Sequence, residues 1–143
     1  MHLHTEIRIN ATPEHIWKVL MDFNEYPEWN PFIRRISGPT KVGDNLQVEL
    51  HQVKGKPMVI SPEVVIVEPN SLFAWKGKFG VKGIFDGQHS FALEVLGKGE
   101  TNFIHSEEFG GILLPFMRKM IKTTTTESFK LMNTALKARC EQA

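Results

Sequence analysis

The chain has few of the features that announce a function. It holds one cysteine, Cys140, in 143 residues, so an intrachain disulfide is impossible and no cysteine-based metal site is signalled. Its net charge of +1 supplies no overall field to recruit nucleic acid. No apolar run approaches the length of a membrane span, and the amino terminus carries no basic–apolar leader. Stable membrane insertion is therefore not expected, and a reducing cytoplasmic setting is. Repeats, low-complexity tracts and linkers are missing, so residues 1–143 are expected to form a single domain with a real core. Also missing are a phosphate-cradling glycine loop, Gly-x-Ser-x-Gly, His-Glu-x-x-His and Cys-x-x-Cys. Nothing calls for a cofactor, and no protein partner is indicated.

What is present begins with the carboxy-terminal stretch, Pro115 to Glu141. At 100° per residue, Met117, Met120, Ile121, Thr124, Ser128, Leu131, Met132 and Ala135 gather on one face. Arg118, Lys119, Lys122, Thr126, Lys130, Asn133 and Lys137 gather on the other. Pro115 suits the first turn. The stretch predicts one helix about 40 Å long, and its apolar stripe needs a broad cover. The hydroxyls of Thr124 and Ser128 on that stripe have two readings. They bond back to the preceding turn, or with Met117, Met120 and Met132 they line an adaptable pocket. The basic residues read as a solvated face, with docking to an anionic surface as the second reading.

The rest of the chain reads as that cover. Residues 2–10 alternate as a half-buried strand with Leu3, Thr5, Ile7 and Ile9 on one side; His2 and His4 fall on the solvated side. Thr12-Pro13-Glu14 starts a short helix, with Thr12 as N-cap. Tyr26-Pro27-Glu28-Trp29-Asn30-Pro31 permits only a helical turn. Strands follow at Phe32–Ser37, Leu46–Val53, Met58–Glu68, Leu72–Phe79, Phe85–Leu96 and Thr101–Phe109, with Pro62 arguing for an edge or a bulge in the third. The fold class expected is α+β: a curved antiparallel sheet of about seven strands around one long helix, with two short helices after the first strand.

The last two strands carry the chemistry. Their odd positions include Phe85, Gly87, His89, Phe91, Phe103, His105, Glu107 and Phe109. The apolar members mark both sets as inward-facing, which carries His89, His105 and Glu107 inward too. A buried carboxylate without a partner is costly, so Glu107 is expected to be paired, protonated or reached by water, and a His–Glu contact is the economical arrangement. Gly87 thins the wall beside them. Three readings stay open. These groups form a satisfied polar network, or orient the polar end of an apolar ligand, or act in catalysis with a histidine as general acid or base and Glu107 setting its tautomer. Two histidines and a glutamate are also zinc-type donors, but one strand pair is thin ground and no metal is assigned.

Three stretches resemble the START-like, helix-grip (SRPBCC) superfamily, in particular its polyketide cyclase/dehydrase and lipid-transport members. They are Ala11-Thr12-Pro13-Glu14-x-Ile16-Trp17 running into Tyr26-Pro27-Glu28-Trp29-Asn30-Pro31; Leu72-x-x-Trp75-x-Gly77; and Phe85-x-Gly87-x-His89-x-Phe91-x-Leu93-Glu94 with Thr101-x-x-x-His105-x-Glu107-x-Phe109-x-Gly111. The resemblance implies a sheet gripping the last helix with a cavity between them. It implies binding, as carrier or sensor, of a hydrophobic small molecule such as a lipid, an isoprenoid or quinone, or a polyketide. The alternative is a cyclase/dehydratase-type enzyme using His89 or His105 with Glu107. The candidate ligand-binding residues are Trp29, Phe32, Trp75, Phe79, Phe85, His89, Phe91, His105, Glu107, Phe109, Met117, Met120, Thr124 and Ser128.

Overall fold

The structure, a computed structural model, describes residues 1–78 and 83–142. Five antiparallel strands form the larger sheet in the order β1-β8-β7-β6-β5: β1 (His2–Ile9), β5 (Glu63–Glu68), β6 (Leu72–Lys78), β7 (Asp86–Gly97) and β8 (Glu100–Gly110). A smaller sheet orders β2 (Ile33–Ser37), β3 (Gln47–Leu50) and β4 (Met58–Ile60). Among the described residues there are thus eight strands in two sheets, where about seven in one were expected. The difference lies at Ser61-Pro62, where the expected strand Met58–Glu68 breaks into β4 and β5. Proline cannot donate to a ladder, so the chain leaves one sheet there and enters the other. The carbonyl of Pro62 still accepts from Leu46 N–H at 2.9 Å, which holds the corner.

Helix α1 (Pro13–Met21) starts as its sequence dictates: the Thr12 hydroxyl accepts from His15 N–H, and Pro13 occupies the first turn. Ile16 and Leu20, four apart, are its buried face. A 3₁₀ turn (Phe23–Glu25) and the single turn α2 (Tyr26–Trp29) follow. Tyr26 is fully buried and its hydroxyl donates to the Leu20 carbonyl at 2.7 Å.

The long helix runs as α3 (Leu114–Met120), a π segment (Ile121–Thr125) and α4 (Thr126–Cys140). In the π segment Thr126 N–H reaches back five residues to the Ile121 carbonyl. That turn holds one residue more than an α turn, so the face beyond it is displaced by about one 100° step. The buried side of α4 is therefore Ser128, Phe129, Met132, Asn133, Leu136 and Cys140. This corrects the straight-helix expectation. Leu131, placed inside, is half-exposed; Asn133, placed outside, is buried. Each fully buried Phe or Leu of this face contributes roughly 1.5–3 kcal/mol. The face packs on β1 and β8, closing a core that includes Ile9, Phe91 and Phe103.

Candidate functional site

Strict alternation along β7 and β8 points His89, Phe91, Phe103 and His105 into the core. Aromatic rings enclose the two histidines. Trp75 stacks on His89 with centroids 4.9 Å apart, and Phe129 stacks on His105 at 3.9 Å. Water is excluded, so every ring nitrogen needs a protein partner. His89 Nδ1 lies 2.9 Å from Glu107 Oε1, and His89 Nε2 lies 2.8 Å from His105 Nε2. His105 Nδ1 lies 2.8 Å from Asn133 Oδ1. Asn133 Nδ2 lies 2.9 Å from Thr5 Oγ1, which lies 2.7 Å from the His105 carbonyl oxygen.

The direction of each hydrogen bond follows from the last one. A carbonyl only accepts, so the single Thr5 hydroxyl proton goes to His105 O. Thr5 Oγ1 then accepts from the Asn133 amide N–H, which leaves Asn133 Oδ1 facing His105. His105 Nδ1 must donate to it. In a neutral ring His105 Nε2 is then the acceptor, and His89 Nε2 donates. His89 Nδ1 is left as an acceptor, so the donor between it and Glu107 is the carboxyl O–H. With both rings neutral, the chain of bonds anchors the tautomer of each and places a proton on Glu107. Ionising Glu107 gives the other satisfied arrangements: the proton moves onto His89, or through His89 onto His105, and a charge pair results. Burial opposes it from both ends, pushing His89 down to about 3 and Glu107 up to about 8. His105 is also held well below its ordinary value, by burial first and then by His89, against the acceptors at Asn133 and Phe129. Burial therefore favours a neutral hydrogen bond at the His89–Glu107 contact. Among the described residues no group of three His, Cys, Asp or Glu side chains is arranged to hold a metal ion.

Glu107 is the end of the chain that meets open space. Its side chain keeps 17% exposure, against 5% for His89. Its Oε2 occupies the place where a Cβ on Gly87 would stand; any other residue at position 87 would displace the carboxyl. Above it lies a cavity of about 560 Å³ between the sheets and the long helix, within the usual range for a small-molecule site.

Of the residues singled out from the sequence, Phe32, Trp75, Phe85, His89, Glu107, Phe109, Met117 and Met120 line this cavity. His105 sits behind His89, and Phe91 packs deeper, on Phe103 at 5.8 Å. Trp29 packs on Tyr26 at 5.1 Å and does not reach the wall. Ser128 Oγ donates to the Thr124 carbonyl at 2.8 Å and accepts from Val53 N–H at 3.0 Å, so it back-bonds and ties down the β3–β4 loop. Thr124 is off the wall; one residue on, Thr125 takes its place. Phe79 lies outside the described residues. Ile121, on the expected apolar face, also lines the cavity; Thr125 and Phe129 were missed because the π segment moves the face beyond it. Sequence reasoning also missed Met58 and Ile60, whose period-two alternation was available as a signal. Asn133 and Thr5, which orient both histidines, were not singled out; a helical asparagine among lysines gives no sign of burial.

Residues 1–141 match the family described as polyketide cyclase / dehydrase and lipid transport, and the chain belongs to that family. No curated protein sequence matches. Among solved structures the chain is similar to the Zhui aromatase/cyclase from Streptomyces sp. R1128, with a TM-score of 0.78 at 13% identity over 99% of this chain and 93% of that one. It is similar to a START superfamily protein from Mycobacterium smegmatis, with 0.76 at 20% identity over 99% and 97%. A point mutant of Thalictrum flavum norcoclaurine synthase, in complex with a transition-state analogue, gives 0.73 at 19% identity over 98% and 93%. At these identities the likeness concerns the fold.

Proposed function

We propose that the protein is a carrier or sensor that takes up an apolar small molecule, of the lipid, isoprenoid/quinone or polyketide kind, and holds its polar end at Glu107. The observation that carries this is a mostly apolar cavity with a carboxyl in its wall, held in place by His89. The carboxyl proton is committed to His89 Nδ1, so the oxygen left for a ligand is an acceptor. The matching ligand group is a donor, a hydroxyl or phenol. Removing that donor forfeits about 1–1.5 kcal/mol, so a hydroxylated ligand is expected to bind roughly tenfold more tightly than its methyl ether. Native mass spectrometry and dye displacement across lipids, quinols and phenols test this. One bound molecule per chain with a hydroxyl preference supports the reading; no uptake of any class defeats it.

A catalytic reading has one observation in its favour. A carboxylic acid kept protonated to about pH 8 beside a cavity is suited to general-acid chemistry of the cyclase or dehydratase type. The two readings separate at Glu107→Gln. Glutamine donates its amide N–H to His89 and leaves its carbonyl towards the ligand, so binding persists, whereas an acid catalyst loses turnover. Unchanged turnover in E107Q rules out Glu107 as the acid.

A further inference from the structure

The cavity opens between two segments. Its lining residues that are exposed are Gly55, Lys56 and Pro57 in the β3–β4 loop, and Leu113 and Met120 at the start of the long helix. Around this mouth the surface is unusual in two ways. Ile112 is 70% exposed, Phe116 82% and Leu113 42%, with Met120 one turn beyond Phe116. A phenylalanine so bare on a helix is not supporting the fold, and contiguous apolar residues at a rim mark a docking site. The charge is also one-sided. Residues 50–62 and 109–126 contain Lys54, Lys56, Arg118, Lys119 and Lys122 and no acid, so these two segments carry +5 in a chain of net +1. All five cations are exposed, and none has an ion-pair partner among the described residues.

From this we infer that the mouth docks on the surface of an anionic phospholipid bilayer. Ile112, Leu113 and Phe116 enter the acyl boundary, and the lysines and Arg118 reach the headgroups along their aliphatic stems. Ile112 and Phe116 expose most of their surface instead of lining a groove, which suits a fluid interface better than a folded partner. Exposed cations on the two segments that border the mouth need no specific geometry from a lipid surface. Docked in this way, the cavity faces the hydrocarbon with no water to cross. The inference concerns the rim and does not depend on what the cavity holds.

Sedimentation with cargo-free vesicles tests it. The intact protein is expected to bind vesicles of equal parts phosphatidylcholine and phosphatidylglycerol at least about tenfold more strongly than vesicles of phosphatidylcholine alone. The I112S/F116S variant is expected to lose about tenfold on the mixed vesicles, and K119E/K122E a similar factor, with unchanged unfolding temperatures because all four side chains are exposed. Failure of the intact protein to sediment with the mixed vesicles overturns the inference and leaves an acidic protein surface as the alternative occupant. Equal sedimentation of I112S/F116S overturns it as well. Neither result touches the cavity, which ligand uptake in vesicle-free solution tests separately.

Discussion

Glu107 is an acid with one partner, a neutral imidazole, in a wall of aromatic rings. Its pKa rises from 4.5 in the unfolded chain to about 8 in the folded one, so the folded protein holds the proton more tightly. The stability it contributes is full below 4.5 and is lost as pH climbs through about 8. His89 runs the other way, from 6.5 down to about 3, as does His105, and their contribution is lost as pH falls below 6.5. Between pH 6.5 and 8 Glu107 alone is left, with a slope of up to about 1.4 kcal/mol per pH unit. E107Q keeps the hydrogen bond and removes the titration. Urea denaturation is expected to show the native protein weakening over this window while E107Q stays level, the gap widening by about 2 kcal/mol. Gly87→Ala is expected to push the carboxyl off His89, leave Nδ1 without its donor and cost about 1–3 kcal/mol, read in the same experiment at pH 6. That His89, His105 and Glu107 face inward was legible from strand parity alone. What orients them was not, because Asn133 and Thr5 lie more than a hundred residues apart in sequence and meet only through packing.

At the scale of the element, the long helix shows why a helical wheel failed halfway along. Thr123 to Thr126 is a run of four β-branched residues, which crowd an α turn, and the chain takes the wider π turn there. The turn lets α3 present Met117 to the cavity while α4 presents Phe129, Met132 and Leu136 to the sheet. Deleting Thr124 removes the extra residue, so the two faces cannot both be seated. The expected loss is at least about 3 kcal/mol, the scale of unseating one large core side chain. Thr123→Ala, at an exposed position, is expected to stay within about 0.5 kcal/mol. Chemical denaturation of the two variants side by side checks the difference. Elements set by local chemistry were readable from the sequence: the Thr12 cap, the Pro13 start, and the turn between β7 and β8. The split of the strand at Ser61-Pro62 announced itself only as a proline in the wrong place for a central strand.

For the molecule as a whole, two sheets and one bent helix leave a space that their side chains do not fill, and the chain places its most perturbed carboxyl at the edge of that space. The grip of sheet on helix was legible, because a long amphipathic helix among antiparallel strands has few other ways to bury its stripe. The placing of five cations, unpaired among the described residues, on the two segments that border the cavity mouth was not, since only the fold makes both segments neighbours of the cavity. The neutral chain of hydrogen bonds from Asn133 to Glu107 rests on the carboxyl keeping its proton, and a pH titration of the carboxyl carbon signal of Glu107 by NMR measures this directly, with E107Q supplying the assignment. A midpoint near 8, with His89 and His105 in opposite neutral tautomers throughout, is the predicted result. A midpoint near the ordinary carboxylate value of 4.5, with His89 as an imidazolium at neutral pH, would mean that the anchor is an ion pair and that the neutral chain of hydrogen bonds from Asn133 to Glu107 is wrong.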